Sequence, residues 1–223
     1  MSWIKRMLGL QAPLPTAAVT TTTTTTAPQA PLGLAPERML CLDKHLSLLL
    51  ADTSTLVLPG DEKVWATGTL DLGQGTRLER FYLDDEDYFL QVVMHGNAAE
   101  DIEDIILFGY HQVAPINSRD ELLRLTGPQS LIGLPTFELD GIEYQRQWGT
   151  EDGQTELVPM DEQVRNPETR YRVRHHSMLY ARDIDLVNRR EFLLFSVEED
   201  EEGNVALSTA VGITLQLTDI TVI

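Results

Sequence analysis

Arg77-Leu78-Glu79-Arg80-Phe81-Tyr82-Leu83 and Tyr88-Phe89-Leu90-Gln91-Val92-Val93-Met94 stand on either side of Asp84-Asp85-Glu86-Asp87. Two runs rich in aromatic and branched residues, joined by four acids, read as a hairpin with a four-residue connection. Both parities of the two strands carry apolar side chains, so this sheet is expected to be covered on both faces.

Working outward, Lys63 to Leu72 reads as the preceding strand, stopped by Gly73-Gln74-Gly75. The stretch Ile102 to Tyr110 fits helix or strand, because acids precede it and its isoleucines follow no single period. Ser118 with Glu121 three residues later has capping-box spacing and predicts a short helix to Leu125. Asp140-Gly141, flanked by Phe137 to Leu139 and Ile142 to Trp148, is a strong two-residue hairpin signal. Arg170 to Tyr180, Phe192 to Val197 and Val205 to Leu217 complete the strands. The last is long enough to require a bend or bulge. Met39, Leu42, Leu46 and Leu49 have helical spacing and predict a helix over 37–51. No alternation of strand and helix occurs, which disfavours a doubly wound parallel sheet. The expected class is α+β: a predominantly antiparallel β body with a few flanking helices.

The 223 residues carry 17 Lys and Arg against 35 Asp and Glu, a formal net charge of -18. Such a field repels phosphate backbones and argues against nucleic-acid binding. One cysteine excludes an internal disulfide framework and favours a reducing compartment. No run of 18 apolar residues occurs, so no transmembrane helix is expected. The start lacks the apolar core and small-residue cleavage site of a secretory signal. The default expectation is therefore a cytoplasmic protein.

The charge is unevenly spread, since no charged residue lies between Met7 and Pro36. That interval holds an unbroken threonine run, Thr20 to Thr26, and is punctuated by prolines. Residues 11–36 read as a disordered or extended linker, and 37–223 as a single globular domain. Residues 1–10 form a short amphipathic segment, in which Trp3, Ile4, Met7 and Leu8 share a face if the chain turns helical. That face could dock on a partner or peripherally on a membrane. The competing reading is an ordinary frayed start or one packed on its own domain.

The search for chemistry yields few candidates. Asp84, Asp85, Glu86 and Asp87 could hold a hard cation, but they lack the ligand order of a calcium loop and read best as a solvated turn. His175 and His176 are adjacent, so on a strand their rings face opposite ways and cannot share a metal. Neither a phosphate loop, a dinucleotide fingerprint nor a nucleophile elbow occurs. The expectation is therefore no cofactor, no metal and no catalytic residues readable from motifs.

Residues 165–190 hold seven arginines against three acids. Arg170, Arg172, Arg174 and His176 share one strand face, with Tyr171, Val173 and His175 on the other. The ladder either pairs with acidic neighbouring strands or offers an anion or acidic-partner surface, which the planar guanidinium fork suits.

On Asp71-Leu72-Gly73-Gln74-Gly75 and the segment Arg80 to Val92, the body resembles a bacterial family of uncharacterised proteins, the YjfK-like family. The resemblance is expected to cover most of 37–223, with the tail and linker outside it. The family brings no established activity and no catalytic residues. Its members look like proteins encoded near homologues of a membrane-stress coiled-coil protein. This implies an accessory or protein-interaction role at an envelope or inner-membrane assembly. The alternative is an enzyme or small-ligand-binding protein whose cleft is assembled at long range.

Overall fold

The computed structural model describes residues 30–96 and 98–223. Twelve strands and two short helices follow in the order β1 (Met39–Leu42), α1 (Leu46–Leu50), β2 (Glu62–Gly73), β3 (Thr76–Leu83), β4 (Tyr88–His95), β5 (Ile102–Pro115) and α2 (Arg119–Thr126). Then come β6 (Thr136–Leu139), β7 (Ile142–Arg146), β8 (Val158–Arg165), β9 (Arg170–Asp183), β10 (Arg190–Glu199), β11 (Val205–Thr214) and β12 (Ile220–Val222). The β-dominated α+β class is as expected.

The expected hairpin is β3–β4, with Tyr82 opposite Phe89 and Arg77 opposite Met94. Strand order runs β2-β3-β4-β5-β11-β10-β9, and β8 pairs with both β9 and β2. Eight strands therefore close into an antiparallel barrel, which leaves no open edge in the ring. Closure rests on Thr67–Leu70 of β2 against Glu162–Arg165 of β8.

Alternation along each strand sorts the side chains. Ala66, Tyr82, Phe89, Ile106, Phe108 and Leu194 belong to the cluster inside the barrel. Outside, Leu83, Leu90, Val92 and Leu107 pack with Leu34, Leu40, Leu46 and Leu50. On the opposite outer wall Tyr180, Leu193, Phe195 and Val211 lie beneath Tyr144 and Ile132, with Phe137, Leu139 and Ile142 packed against them. This double cover accounts for apolar residues at both parities of β3 and β4. At β2 the register slips between Val64 and Ala66, leaving Trp65 as the extra residue. The slip keeps Val64 in the outer core and Ala66 in the inner one.

Two readings need correction. The helix over 37–51 is a strand followed by one helical turn, because Leu40 pairs across to Val222 at the far end of the chain. The helical spacing was a coincidence of residues serving two elements, and Leu49 is exposed. The linker does not reach residue 36, since Leu34 is fully buried and Leu32 packs on the same cluster. The ambiguous segment at 102 is strand and continues to Pro115.

Other local readings match the structure. Ser118 caps α2, its Oγ accepting from the Glu121 amide at 3.2 Å. Asp140 and Gly141 both adopt positive φ, +51° and +80°, as a two-residue turn of this type demands. By contrast, strand β11 ends at Thr214, shorter than expected, and the register shift at Thr209/Ala210 places the extra residue on the facing β5 and not on β11.

Candidate functional site

Two arrangements stand out. The first is a buried polar network inside the barrel. Arg80 on β3, Gln91 on β4, Glu162 on β8, His175 on β9 and Ser196 on β10 all point inward and are almost fully buried. Glu162 receives three donors: Arg80 Nη1 at 3.0 Å, Tyr82 Oη at 2.8 Å and His175 Nε2 at 2.7 Å. His175 Nδ1 meets Ser196 Oγ at 3.0 Å, and Ser196 in turn meets Ser177 at 2.9 Å. Arg80 Nε donates to Gln91 at 3.0 Å.

Burial alone would raise the Glu162 carboxyl, but Arg80 and the donors from His175 and Tyr82 outweigh it and bring it to about 2. Burial also works against the Arg80 charge, and the facing Glu162 more than compensates, so the guanidinium stays protonated. Burial, then Glu162, push the Tyr82 phenol well up. The Glu162–His175–Ser196 row has the connectivity of a nucleophilic triad. Its serine is 1 % exposed and lies mid-strand between two partners, which is the setting of a structural hydroxyl.

The backbone makes room for this network at Gly68. A Cβ there would lie 1.7 Å from Glu162 Oε1. Gly68→Ala is therefore expected to push Glu162 off its donors and destabilise the fold by about 2–4 kcal/mol, read from urea denaturation. A change below about 0.5 kcal/mol would show that Glu162 is not pinned as described.

The second arrangement is a cleft of about 380 Å³ on the outer wall. Leu56 and Val57 on one side face Leu139 and Asp140 on the other, over His111 and Val211. One wall is Thr55 to Val57 of a strap, residues 51–58, and another comes from the β6–β7 hairpin. Both are held firmly. Glu191 accepts from Ser54 Oγ at 2.5 Å, the Thr55 amide at 2.7 Å, Tyr144 Oη at 2.6 Å and Arg182 Nε at 2.8 Å. Burial would raise Glu191, yet these donors hold it below the usual carboxylate range, and burial with Glu191 pushes Tyr144 up to about 12. Tyr88 Oη donates to the Val57 carbonyl at 2.6 Å, tying down the far end of the strap. Gly109 lets the strap approach, since a Cβ would meet Leu56 Cδ1 at 2.7 Å.

The bulge supplies the polar head of the cleft. Register passes from Gln112 opposite Thr209 to Tyr110 opposite Ala210, leaving His111 unpaired in the ladder. Its Nε2 lies 3.8 Å from Asp140 Oδ2 at the hairpin tip. Bulges re-aim side chains in this way beside binding sites. Leu56, Val57, Leu139 and Val211 give the cleft its apolar surface, and the rest of its lining is Thr, Tyr, Gly, His and Asp; small-molecule sites likewise combine apolar walls with convergent polar groups.

The residues singled out in the sequence fall elsewhere. Arg170, Arg172 and Arg174 are exposed on the outer face of β9, with His176 half-buried beside them. Arg174 pairs with Glu199 at 3.3 Å. His175, on the opposite face as expected, is the histidine drawn into the interior network. Asp84 to Asp87 form the β3–β4 turn, where the Asp87 amide donates to Asp85. Among the described residues, no group of three or more His, Cys, Asp and Glu could hold a metal ion. Trp3, Ile4, Met7 and Leu8 lie outside the described residues. Among those described, no helix is long and apolar enough to cross a membrane. Sequence reasoning missed Glu162 and Arg80, and no local signal marked out His111, which only folding could bring to a partner. The usable signal was a polar residue at an inward parity between apolar ones, as Arg80 is between Leu78 and Tyr82.

Fold and site together define a closed antiparallel β-barrel with a charged interior and a long-range cleft on its wall. The chain belongs to a family described as a protein of unknown function, DUF2491, which it matches over residues 3–221. It is 29% identical over 202 residues to the uncharacterized protein YjfK of Escherichia coli K12, covering 87% of this chain and 91% of that protein. The resemblance read from residues 71–92 thus holds. The family match starts at residue 3, so the tail and linker fall within it, contrary to expectation. No solved structure matches.

Proposed function

We propose that this protein binds a small organic ligand in the cleft between the strap and the β6–β7 hairpin. The observation that carries the reading is the cleft itself, assembled from five separate stretches of chain and presenting bulged His111 opposite Asp140. The walls are fixed before any ligand arrives, by Glu191 on one side and Tyr88 on the other, so little ordering cost remains to be met on binding. Leu56, Val57, Leu139 and Val211 suit an apolar body. His111 and Asp140 suit a hydrogen-bonding or cationic head. The interior network is read as a fold-specifying feature, because eight strands leave only enough room for side chains to fill the barrel. The protein is on this reading a binding module, not an enzyme.

The test uses native mass spectrometry and thermal shift with a panel of small aromatic and aliphatic amines. Val57 is 76 % exposed, so Val57→Trp can fill the cleft without disturbing the core. Asp140→Asn keeps the left-handed turn position, which asparagine tolerates well, and removes the charge. Any amine that raises the midpoint of the wild type is expected to bind at least about tenfold more weakly to each variant. Binding unchanged in both variants, or no amine bound by the wild type, would overturn the reading.

A further inference from the structure

Where β5 begins, a groove of about 570 Å³ opens over the outer core, lined by apolar side chains and acids and by no Lys or Arg. Ile105 and Leu215 at its base are buried in that core, and Leu32 and Ile102 pack on it half-buried. Leu217 stands 62 % exposed in the same lining. The acids are Glu100, Glu103 and Asp104. Register passes from Asp104 opposite Val93 to Ile102 opposite Met94, which leaves Glu103 as the extra residue on β5. Neither Glu100 nor Glu103 forms an ion pair among the described residues. Burial raises the Asp104 carboxyl, and Glu103 beside it adds to the rise, against the Ile105 amide and Arg190. An apolar floor with three acids around it fits an occupant that is apolar and carries cations.

The start of this chain has that make-up. Trp3, Ile4, Met7 and Leu8 flank Lys5 and Arg6, which are the only charged residues in 1–36. The described chain begins at Ala30, and Leu32 two residues later lines the groove itself. Residues 11–29 lie between and reach about 60 Å at most when fully extended, ample for the segment to fold back. Tethering holds it at an effective concentration on the order of millimolar, so a contact of a few side chains is enough. The family match begins at residue 3 and so takes in these same residues.

We propose that residues 3–8 dock in this groove of their own chain, with Trp3, Ile4, Met7 and Leu8 over Ile102, Leu215 and Leu217, and with Lys5 and Arg6 against Glu100, Glu103 and Asp104. Docking covers the exposed leucine and brings counter-charges to the acids. The same acids repel anionic lipid, which makes a membrane surface the poorer occupant. The groove shares no lining residue with the cleft and is independent of it.

The experiment couples amines to carboxylates in the full chain with a water-soluble carbodiimide and maps the links by mass spectrometry. Lysines occur only at 5, 44 and 63, so the products are few. Lys63 and Glu37, 3.8 Å apart, provide the internal control. A mixture of isotope-labelled and unlabelled protein separates links within a chain from links between chains. A link from Lys5 to Glu100, Glu103 or Asp104 within one chain is expected. Trp3→Ser with Met7→Ser keeps Lys5 and removes apolar contact, and is expected to cut that yield at least about fivefold. Leu217→Ser, at an exposed position, is expected to lower it as well. A Lys63–Glu37 link with no link from Lys5 to the three acids overturns the proposal. So does a yield unchanged in the double variant. Lys5 links found only between chains assign the groove to a second copy and overturn it. Sedimentation with phosphatidylglycerol vesicles, with no Lys5 link in their absence, assigns the segment to a membrane and overturns it too.

Discussion

Glu162→Leu is expected to lower the unfolding free energy by about 3–5 kcal/mol, among the larger effects a single substitution can have. The carboxylate is completely buried and receives Arg80, Tyr82 and His175 at once. Removing it leaves Arg80, 3 % exposed, with Gln91 but no counter-charge. The cost is that of an uncompensated buried charge, not of the ion pair itself. The double variant Arg80→Met with Glu162→Leu is therefore expected to recover most of the loss, since well-packed apolar replacements of buried ion pairs are often neutral or better. Urea denaturation of the four proteins in the cycle measures the coupling. If the double variant is as unstable as Glu162→Leu alone, the loss comes from packing and this account of the network fails.

Acid should find the same residue. The Glu162 carboxyl sits near 2 in the fold, against an ordinary value of 4.5. A depressed carboxyl stabilises the native state fully above the unfolded value and loses that contribution as pH falls toward the folded one. The loss therefore falls between about pH 5 and pH 2 and amounts to about 3 kcal/mol. Glu191, also held below the usual range, acts with the same sign. Urea midpoints measured down this range should fall steeply in the wild type. The Arg80→Met, Glu162→Leu double variant should show a clearly shallower fall, and equal slopes would remove Glu162 from the account.

Much of the barrel could be read locally. Adjacent strands with tight turns announce themselves, as at Asp84 to Asp87 and at Asp140-Gly141, because the information lies in a few neighbouring residues. The helix expected over 37–51 shows where this fails. Leu40 is held by Val222 and Met39 by Lys63, and nothing within the segment reports partners that far away.

The strand that closes the barrel was missed altogether. In β8 the inward residues are Met160, Glu162 and Val164, and the outward ones are polar. A glutamate at the centre of the inward face erases the apolar alternation by which a strand is recognised, and Pro159 weakens it further. The residue that makes the interior chemically distinctive is thus the one that hides its strand. His111 was hidden for a related reason. Only the bulge against Thr209 and Ala210 turns it toward Asp140, and a bulge is a property of two strands together.

The sequence by itself determined an acidic, mainly antiparallel β protein, its main hairpins, the cap of α2 and the split of His175 from His176. Those follow from alternation, turn chemistry and charge, which act over a few residues. Tertiary structure alone decided that the sheet closes, that Glu162 meets Arg80 and His175 inside it, and that strap and hairpin enclose a cleft. Closure and the meeting of Glu162 with Arg80 depend on register between strands far apart in the chain, such as Leu70 against Glu162. Such pairings are fixed by the burial of whole faces, and no single stretch of chain encodes them.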